Sequence, residues 1–288
     1  MKSRLAVLIS IVVFVLGACS TGVASPSAAN PASDAPVATP APALASATRA
    51  ANVELTIYGA ASLKGVLDKA RTTYEAANPG TTLTISTDAS SALETKIEQG
   101  APADVFLSAD TANLKKLVDK GLADGPAVNF ATNKLTVVVP TSNPASIQTP
   151  ADLAKTGLKI ITAGDAVPIT KYANQLVANL AKEPGYPADF AAGYAANIVS
   201  REDNVSAVVG KIQLGEGDAG IVYVTDAKAS AKVATVAVPD SANVIATYDG
   251  VVVTASPNAA SAHAFLTWFA GPDGQAILAS FGFLPPPS

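Results

Sequence analysis

Three stretches of this chain place small hydroxyl or carboxyl side chains where a strand gives way to a helix. They are Gly59-Ala60-Ala61-Ser62-Leu63, Thr87-Asp88-Ala89-Ser90-Ser91 and Ser108-Ala109-Asp110. The start of a helix leaves backbone N–H groups without acceptors and carries a partial positive charge. A serine at such a start either caps its helix or turns its hydroxyl to a ligand. Several starts aimed at one cleft make an anion site without any charged side chain. Ala60, Ala61, Ala89 and Ala109 recur at these junctions and would let a ligand approach the backbone closely. Asp110 reads as a helix cap. Asp88 stands two residues before Ser90 and would repel a dianion if it faced the cleft, or donate to one if protonated. Pointing away, it would cap a turn.

Other chemistries have few residues to work with. The 288 residues include one Cys and one His. That excludes a disulfide within the chain, Cys/His metal clusters and Cys–His catalysis. A serine hydrolase built on Ser62 or Ser90 would need His263 as its base. His263 lies on an amphipathic C-terminal helix, and neither serine sits in a Gly-x-Ser-x-Gly elbow. The formal net charge is −4 and the Lys and Arg residues are scattered, so nucleic acid is not an expected partner. No phosphate-binding Gly-x-x-x-x-Gly-Lys loop is present.

The elements that would position these residues can be read from periodicity. Hydrophobic residues make up 49% of the chain and charged residues 15%, which suits a folded body with an ample core. Val53 to Tyr58 alternates as a strand does, and Leu63, Val66, Leu67, Ala70 and Tyr74 follow at helical spacing. Thr81 to Ser86 and Asp104 to Leu107 read as further strands, each followed by a helical segment closed by Gly100 or Gly121. The pattern resumes at Leu135 to Val139, with strands at Lys159 to Thr162, Asn197 to Ser200 and Gly220 to Val224 and helices at Ile169 to Leu180 and Val205 to Leu214. Alternation of this kind predicts parallel βαβ units in two α/β lobes. The segment from about Ala237, with a strand at Gly250 to Thr254, is expected to return to the first lobe. Lobe I is thus expected to take residues 52–133 and 237–288, and lobe II residues 134–236. Ligands of open α/β sheets bind at the carboxyl ends of the strands.

Ahead of this body, Lys2 and Arg4 precede the apolar run Leu5 to Leu16, shorter than the roughly 20 residues a membrane span needs. Residues 1–18 read as a lipoprotein signal peptide. Leu16-Gly17-Ala18-Cys19 resembles a bacterial lipobox, which implies acylation of Cys19 and a stable extracytoplasmic membrane anchor. Residues 19–51, rich in Ala, Pro and Ser, read as a disordered tether.

The junction segments also carry a family resemblance. Gly59-Ala60-Ala61-Ser62-Leu63, Ala89-Ser90-Ser91-Ala92-Leu93 and Gln99-Gly100-Ala101-Pro102-Ala103-Asp104-Val105-Phe106-Leu107-Ser108-Ala109-Asp110 resemble the first lobe of the molybdate-binding proteins of ABC transporters. Gly164-Asp165-Ala166-Val167-Pro168, Gly215-Glu216-Gly217-Asp218-Ala219-Gly220-Ile221-Val222-Tyr223 and Gly271-Pro272-Asp273-Gly274-Gln275 continue the likeness, which spans nearly all of Asn52 to Pro285. The resemblance implies a two-lobe periplasmic-binding-protein-like fold of type II with the ligand in the interlobe cleft. It implies a monomer that is not an enzyme, needs no cofactor, binds molybdate or tungstate, and serves a separate permease and ATPase. Carried over position by position, it assigns the anion to the hydroxyls of Ser62, Ser90 and Tyr223 and to backbone N–H groups of Ile169 and Val205, with Ala109 adding a further N–H. Many relatives have Ala-Gly where this chain has Ile169-Thr170, a departure that could reshape the mouth of the site. The same fold tuned to sulfate or another oxyanion is the near alternative.

Overall fold

The computed structural model describes residues 52–286. The signal segment, Cys19 and the Ala/Pro/Ser tether lie outside the described residues. Among the described residues no helix is long and apolar enough to cross a membrane.

Two five-stranded sheets form the body. The first has the order β2-β1-β3-β10-β4 and is built from β1 (Val53–Ala60), β2 (Thr81–Asp88), β3 (Val105–Ser108), β4 (Ala123–Asn133) and β10 (Ala246–Val253). The second has the order β7-β6-β8-β5-β9, from β5 (Leu135–Pro140), β6 (Ile160–Ala163), β7 (Ile198–Glu202), β8 (Ala219–Tyr223) and β9 (Val233–Val236). The chain crosses from one sheet to the other at Lys134 and returns between Val236 and Ala246. Each lobe therefore has its own sheet, joined by two crossings, as in the type II two-lobe fold.

The βαβ pattern holds for part of each sheet. β1 is parallel to β2 and β3, and β6 is parallel to β7 and β8. One strand in each sheet runs the other way: β10 pairs antiparallel with β3 and β4, and β5 with β8 and β9. Periodicity did not reveal β4 or β9. β4 begins with exposed residues and contains Gly125-Pro126, punctuation that reads as a turn. At a sheet edge a proline is tolerated, because the outer side of the strand has no ladder to complete. Its last four residues, Phe130 to Asn133, are buried, and Thr132 pairs with Leu284 to bring the C-terminus onto this edge.

The helices cover these sheets through apolar stripes. In α1 (Lys64–Ala77), Val66, Leu67, Ala70 and Tyr74 are buried, and Gly80, with φ +95°, turns the chain into β2. Next come α2 (Ser90–Glu98), α3 (Thr111–Asp119), α4 (Pro168–Leu180), α5 (Phe190–Ala196), α6 (Val205–Gln213), α7 (Val224–Lys228), α8 (Ala259–Ala270) and α9 (Pro272–Phe281). The first lobe carries an aromatic core in which Phe130 meets Phe269 and Tyr248, with ring centroids 5.1 and 6.2 Å apart. Tyr248 also touches Tyr223 of the second lobe at 5.7 Å, so its ring spans from core to cleft.

Candidate functional site: an interlobe cavity of donors

The six positions singled out by sequence line one cavity between the lobes. Ser62, Ser90 and Ala109 contribute from the first sheet's side, with Ala60, Ala61 and Ala89. Ile169, Val205 and Tyr223 contribute from the second, with Val167 and Pro168. The space they line amounts to about 210 Å³, counting the part open to solvent.

Local structure explains what each segment presents. Ser62 lies in the short 3-10 turn Ala61–Leu63 that leads into α1, and Ser90 is the first residue of α2. Val205 is the first residue of α6, and Ile169 the second of α4 after Pro168. Their N–H groups have no acceptor within their own helices. Tyr223 ends β8 just before α7. Its hydroxyl is buried and has no hydrogen-bond partner among the described residues. Burial first, then the neighbouring Tyr248, Tyr172, Asp226 and Asp110, push its ionisation well above the usual tyrosine range. The hydroxyl thus keeps its proton and remains a donor.

Two bonds orient the serines. The Ala109 N–H donates to Ser90 Oγ at 3.0 Å. The resemblance gives this N–H to the ligand; in the structure it donates to Ser90 Oγ. Ser62 Oγ lies 2.9 Å from the Tyr248 hydroxyl. Ile169 is buried in the core, and the Thr170 hydroxyl donates back to the Ala163 carbonyl at 2.9 Å, tying the start of α4 to the end of β6.

Asp88 has other partners than the cavity. It accepts from the Ala89 N–H at 2.8 Å, as a turn cap, and from Lys96 at 3.3 Å. It also accepts from the Asn204 side-chain amide at 3.2 Å, across the cleft. Burial works to raise its pKa, but these hydrogen bonds and the Lys96 charge together hold it below the ordinary carboxylate value. Asp88 is therefore ionised at neutral pH but already saturated with donors. Two further contacts span the lobes: Lys171 with Asp110 at 3.3 Å, and the Thr247 N–H with the Tyr172 hydroxyl at 3.3 Å.

Sequence reading missed Tyr248, Asn204 and Asp226. Tyr248 lies on a strand and alternates like any core residue, and 186 positions separate it from Ser62. Asn204 carried a usable signal, since Asn before an apolar helical run is a preferred cap. Asp226 is buried beside Tyr223, with one carboxylate oxygen unpartnered. It borders a larger hollow of about 840 Å³ on the other side of Ser62, also lined by Asp68 and Lys64.

His263 is far from this arrangement in its bonding. Its Nε2 pairs with Asp124 at 3.0 Å on the exposed face of α8, while Ser62 and Ser90 are engaged by Tyr248 and Ala109.

Comparison with known proteins agrees with this architecture. The chain is 34% identical to the molybdate-binding protein ModA of Mycobacterium tuberculosis over 233 residues, covering 81% of this chain and 85% of that protein. Among solved structures, the periplasmic molybdate-binding protein of Azotobacter vinelandii superposes with a TM-score of 0.69 at 23% identity, covering 81% of this chain and 100% of that one. The sulfate-binding protein SubI of Mycobacterium tuberculosis superposes with a TM-score of 0.72 at 22% identity, covering 81% and 87%. The profile of the bacterial extracellular solute-binding proteins matches residues 55–284. The chain belongs to this family of bacterial extracellular solute-binding proteins.

Proposed function

We propose that this protein binds molybdate or tungstate outside the membrane and delivers it to an ABC importer, without catalysing a reaction on it. The observation that carries the proposal is the composition of the cavity wall. Both lobes supply hydroxyl and N–H donors to one small space, and the Tyr223 hydroxyl there is buried without a partner. A fully deprotonated tetrahedral dianion only accepts hydrogen bonds, so a wall of donors suits it. Each such bond contributes roughly 1.5–3 kcal/mol. Several together can offset dehydration and lobe closure and leave affinity between about micromolar and nanomolar. The ModA relative of Mycobacterium tuberculosis supports molybdate as the ligand. Import requires a permease and an ATPase on other chains, and the lipobox-like Leu16-Gly17-Ala18-Cys19 would tether the monomer to the outer face of the membrane.

The likeness in fold to SubI favours one second reading, a sulfate carrier. Sulfate has the same charge and shape but is smaller, so cavity size would separate the two. Calorimetric titration of the purified protein with molybdate, tungstate and sulfate tests both readings. The expected result is one site, tight for molybdate and tungstate and much weaker for sulfate. Tight sulfate binding with no molybdate heat would replace the first reading by the second.

A further inference from the structure

A serine hydroxyl can accept as well as donate, and it rotates freely unless its neighbours decide for it. At Ser90 the backbone decides. The Ala109 N–H occupies the acceptor side of Oγ, leaving the hydroxyl hydrogen for the cavity. At Tyr223 the hydrogen has no acceptor among the described residues, so its outlet is the ligand.

At Ser62 the decision is made by a side chain. Asn133 Oδ1 accepts the Lys134 N–H at 3.0 Å, which fixes the direction of its amide. The Asn133 NH2 group then donates to Thr225 Oγ1 at 2.8 Å. Tyr248 is fully buried, so its own hydrogen must find an acceptor or cost an unmade bond. Ser62 Oγ, at 2.9 Å, is the acceptor in reach. Were Ser62 to donate instead, the phenol hydrogen would be stranded, since Ser62 is the hydrogen-bond partner of that hydroxyl among the described residues.

We infer that Tyr248 is a positioning residue for selectivity: by donating to Ser62 Oγ it holds Ser62 as a donor toward the cleft, so that the site rejects tetrahedral oxyanions that still carry a proton. A protonated oxyanion such as hydrogen arsenate presents an O–H that needs an acceptor. With Ser62, Ser90 and Tyr223 all turned as donors, that O–H meets none, and a buried unpaired donor is penalised. The inference rests on the oxyanion-binding function proposed above.

Tyr248→Phe removes only the phenol oxygen and keeps the ring against Phe130, Tyr223 and Phe283. Ser62 can then rotate and accept. Titrations with molybdate and hydrogen arsenate at one slightly alkaline pH compare the variant with the wild type. Molybdate is expected to bind on the order of tenfold more weakly. Hydrogen arsenate is expected to bind as well as before or better, so that the ratio of the two affinities narrows by at least about that factor. Ser62→Ala should lower molybdate affinity, and adding Tyr248→Phe to it should change nothing more, because the phenol acts through that hydroxyl. Neutron diffraction from the wild type serves if Tyr248→Phe does not fold: a deuteron on the Tyr248 oxygen directed at Ser62 Oγ supports the inference, and one on Ser62 Oγ directed at the phenol overturns it. Equal weakening of both anions, or additive effects of Ser62→Ala and Tyr248→Phe, overturns the inference while leaving molybdate binding intact. A wild type that takes sulfate in place of molybdate is tested by the same ratio with sulfate. A wild type that binds none of these anions overturns both this inference and the function beneath it.

Discussion

At the scale of single residues, the site works by neutral groups whose proton positions are set in advance. Tyr223 shows what this costs the protein alone. Its hydroxyl is buried with no partner among the described residues, and an unmade bond of that kind costs about 1–3 kcal/mol. Tyr223→Phe should therefore leave the ligand-free protein as stable as the wild type or slightly more so. Its affinity for molybdate should drop by roughly 10- to 100-fold, the worth of one hydrogen bond to a charged group. Thermal melts with and without molybdate measure both effects. A variant that is less stable without ligand but binds as tightly would assign the hydroxyl to packing instead.

At the scale of elements, the starts of α2, α4 and α6 and the turn before α1 face one space, and one of the bonds across it is carried by a cap. Asn204 precedes α6 and uses its two ends differently. Its oxygen accepts the Ala207 N–H at 3.1 Å, capping the helix, while its amide nitrogen donates to Asp88 across the cleft. Asn204→Ser keeps a capping oxygen and loses the reach to the other lobe. Ser caps about as well as Asn, so the melting temperature should hardly move. The lost bond favours the closed form, in which the lobes meet, so molybdate affinity should fall a few-fold, mainly through faster release. Stopped-flow dissociation measures the release rate, and an unchanged rate would show that the Asp88 contact does not contribute to closure. Spacing left two readings of Asp88, repulsion of a dianion or a turn cap, and the Ala89 N–H bond at 2.8 Å matches the cap. A carboxylate two residues from Ser90 suggests repulsion, whereas its lowered pKa comes from three donors that a linear reading cannot bring together.

At the scale of the whole molecule, one buried acid couples the fold to pH. Burial pushes the Asp226 carboxyl up to about 7 from 3.8, and the backbone bond to Tyr223 offsets this only in part. The folded state thus keeps this proton where the unfolded chain has released it. This group's contribution to stability is fully present below about pH 4, falls as pH rises, and is lost above about pH 7. Each pKa unit is worth about 1.4 kcal/mol, so the penalty at alkaline pH reaches several kcal/mol. Asp226→Asn should match the wild type near pH 4 and exceed it by about 2–4 kcal/mol at pH 8 in urea denaturation. A difference that does not change with pH would mean the wild-type carboxyl titrates as an exposed one does. The group adjoins Tyr223 and Tyr248, so its charge state is felt at the site as well as in the fold.

The sequence by itself determined a good deal. Alternation at Val53 to Tyr58 and the helical stripe of α1 follow from which side chains must leave water, a local matter of period 2 or 3.6. The junction serines and the segments ending at Tyr223 were legible because a helix start needs particular residues at particular places. β4 was hidden, since its polar, Gly-Pro-containing start is acceptable only at a sheet edge, and edges are a tertiary fact. The tertiary structure alone decided that six positions on six segments of both lobes share one cavity. It decided too that the Ala109 N–H acts on Ser90, that Asp88 finds Asn204, and that Tyr248 finds Ser62. The physical reason is range. Burial patterns and caps are set by near neighbours in the chain, whereas the direction of a hydroxyl hydrogen depends on partners that only folding brings within 3 Å.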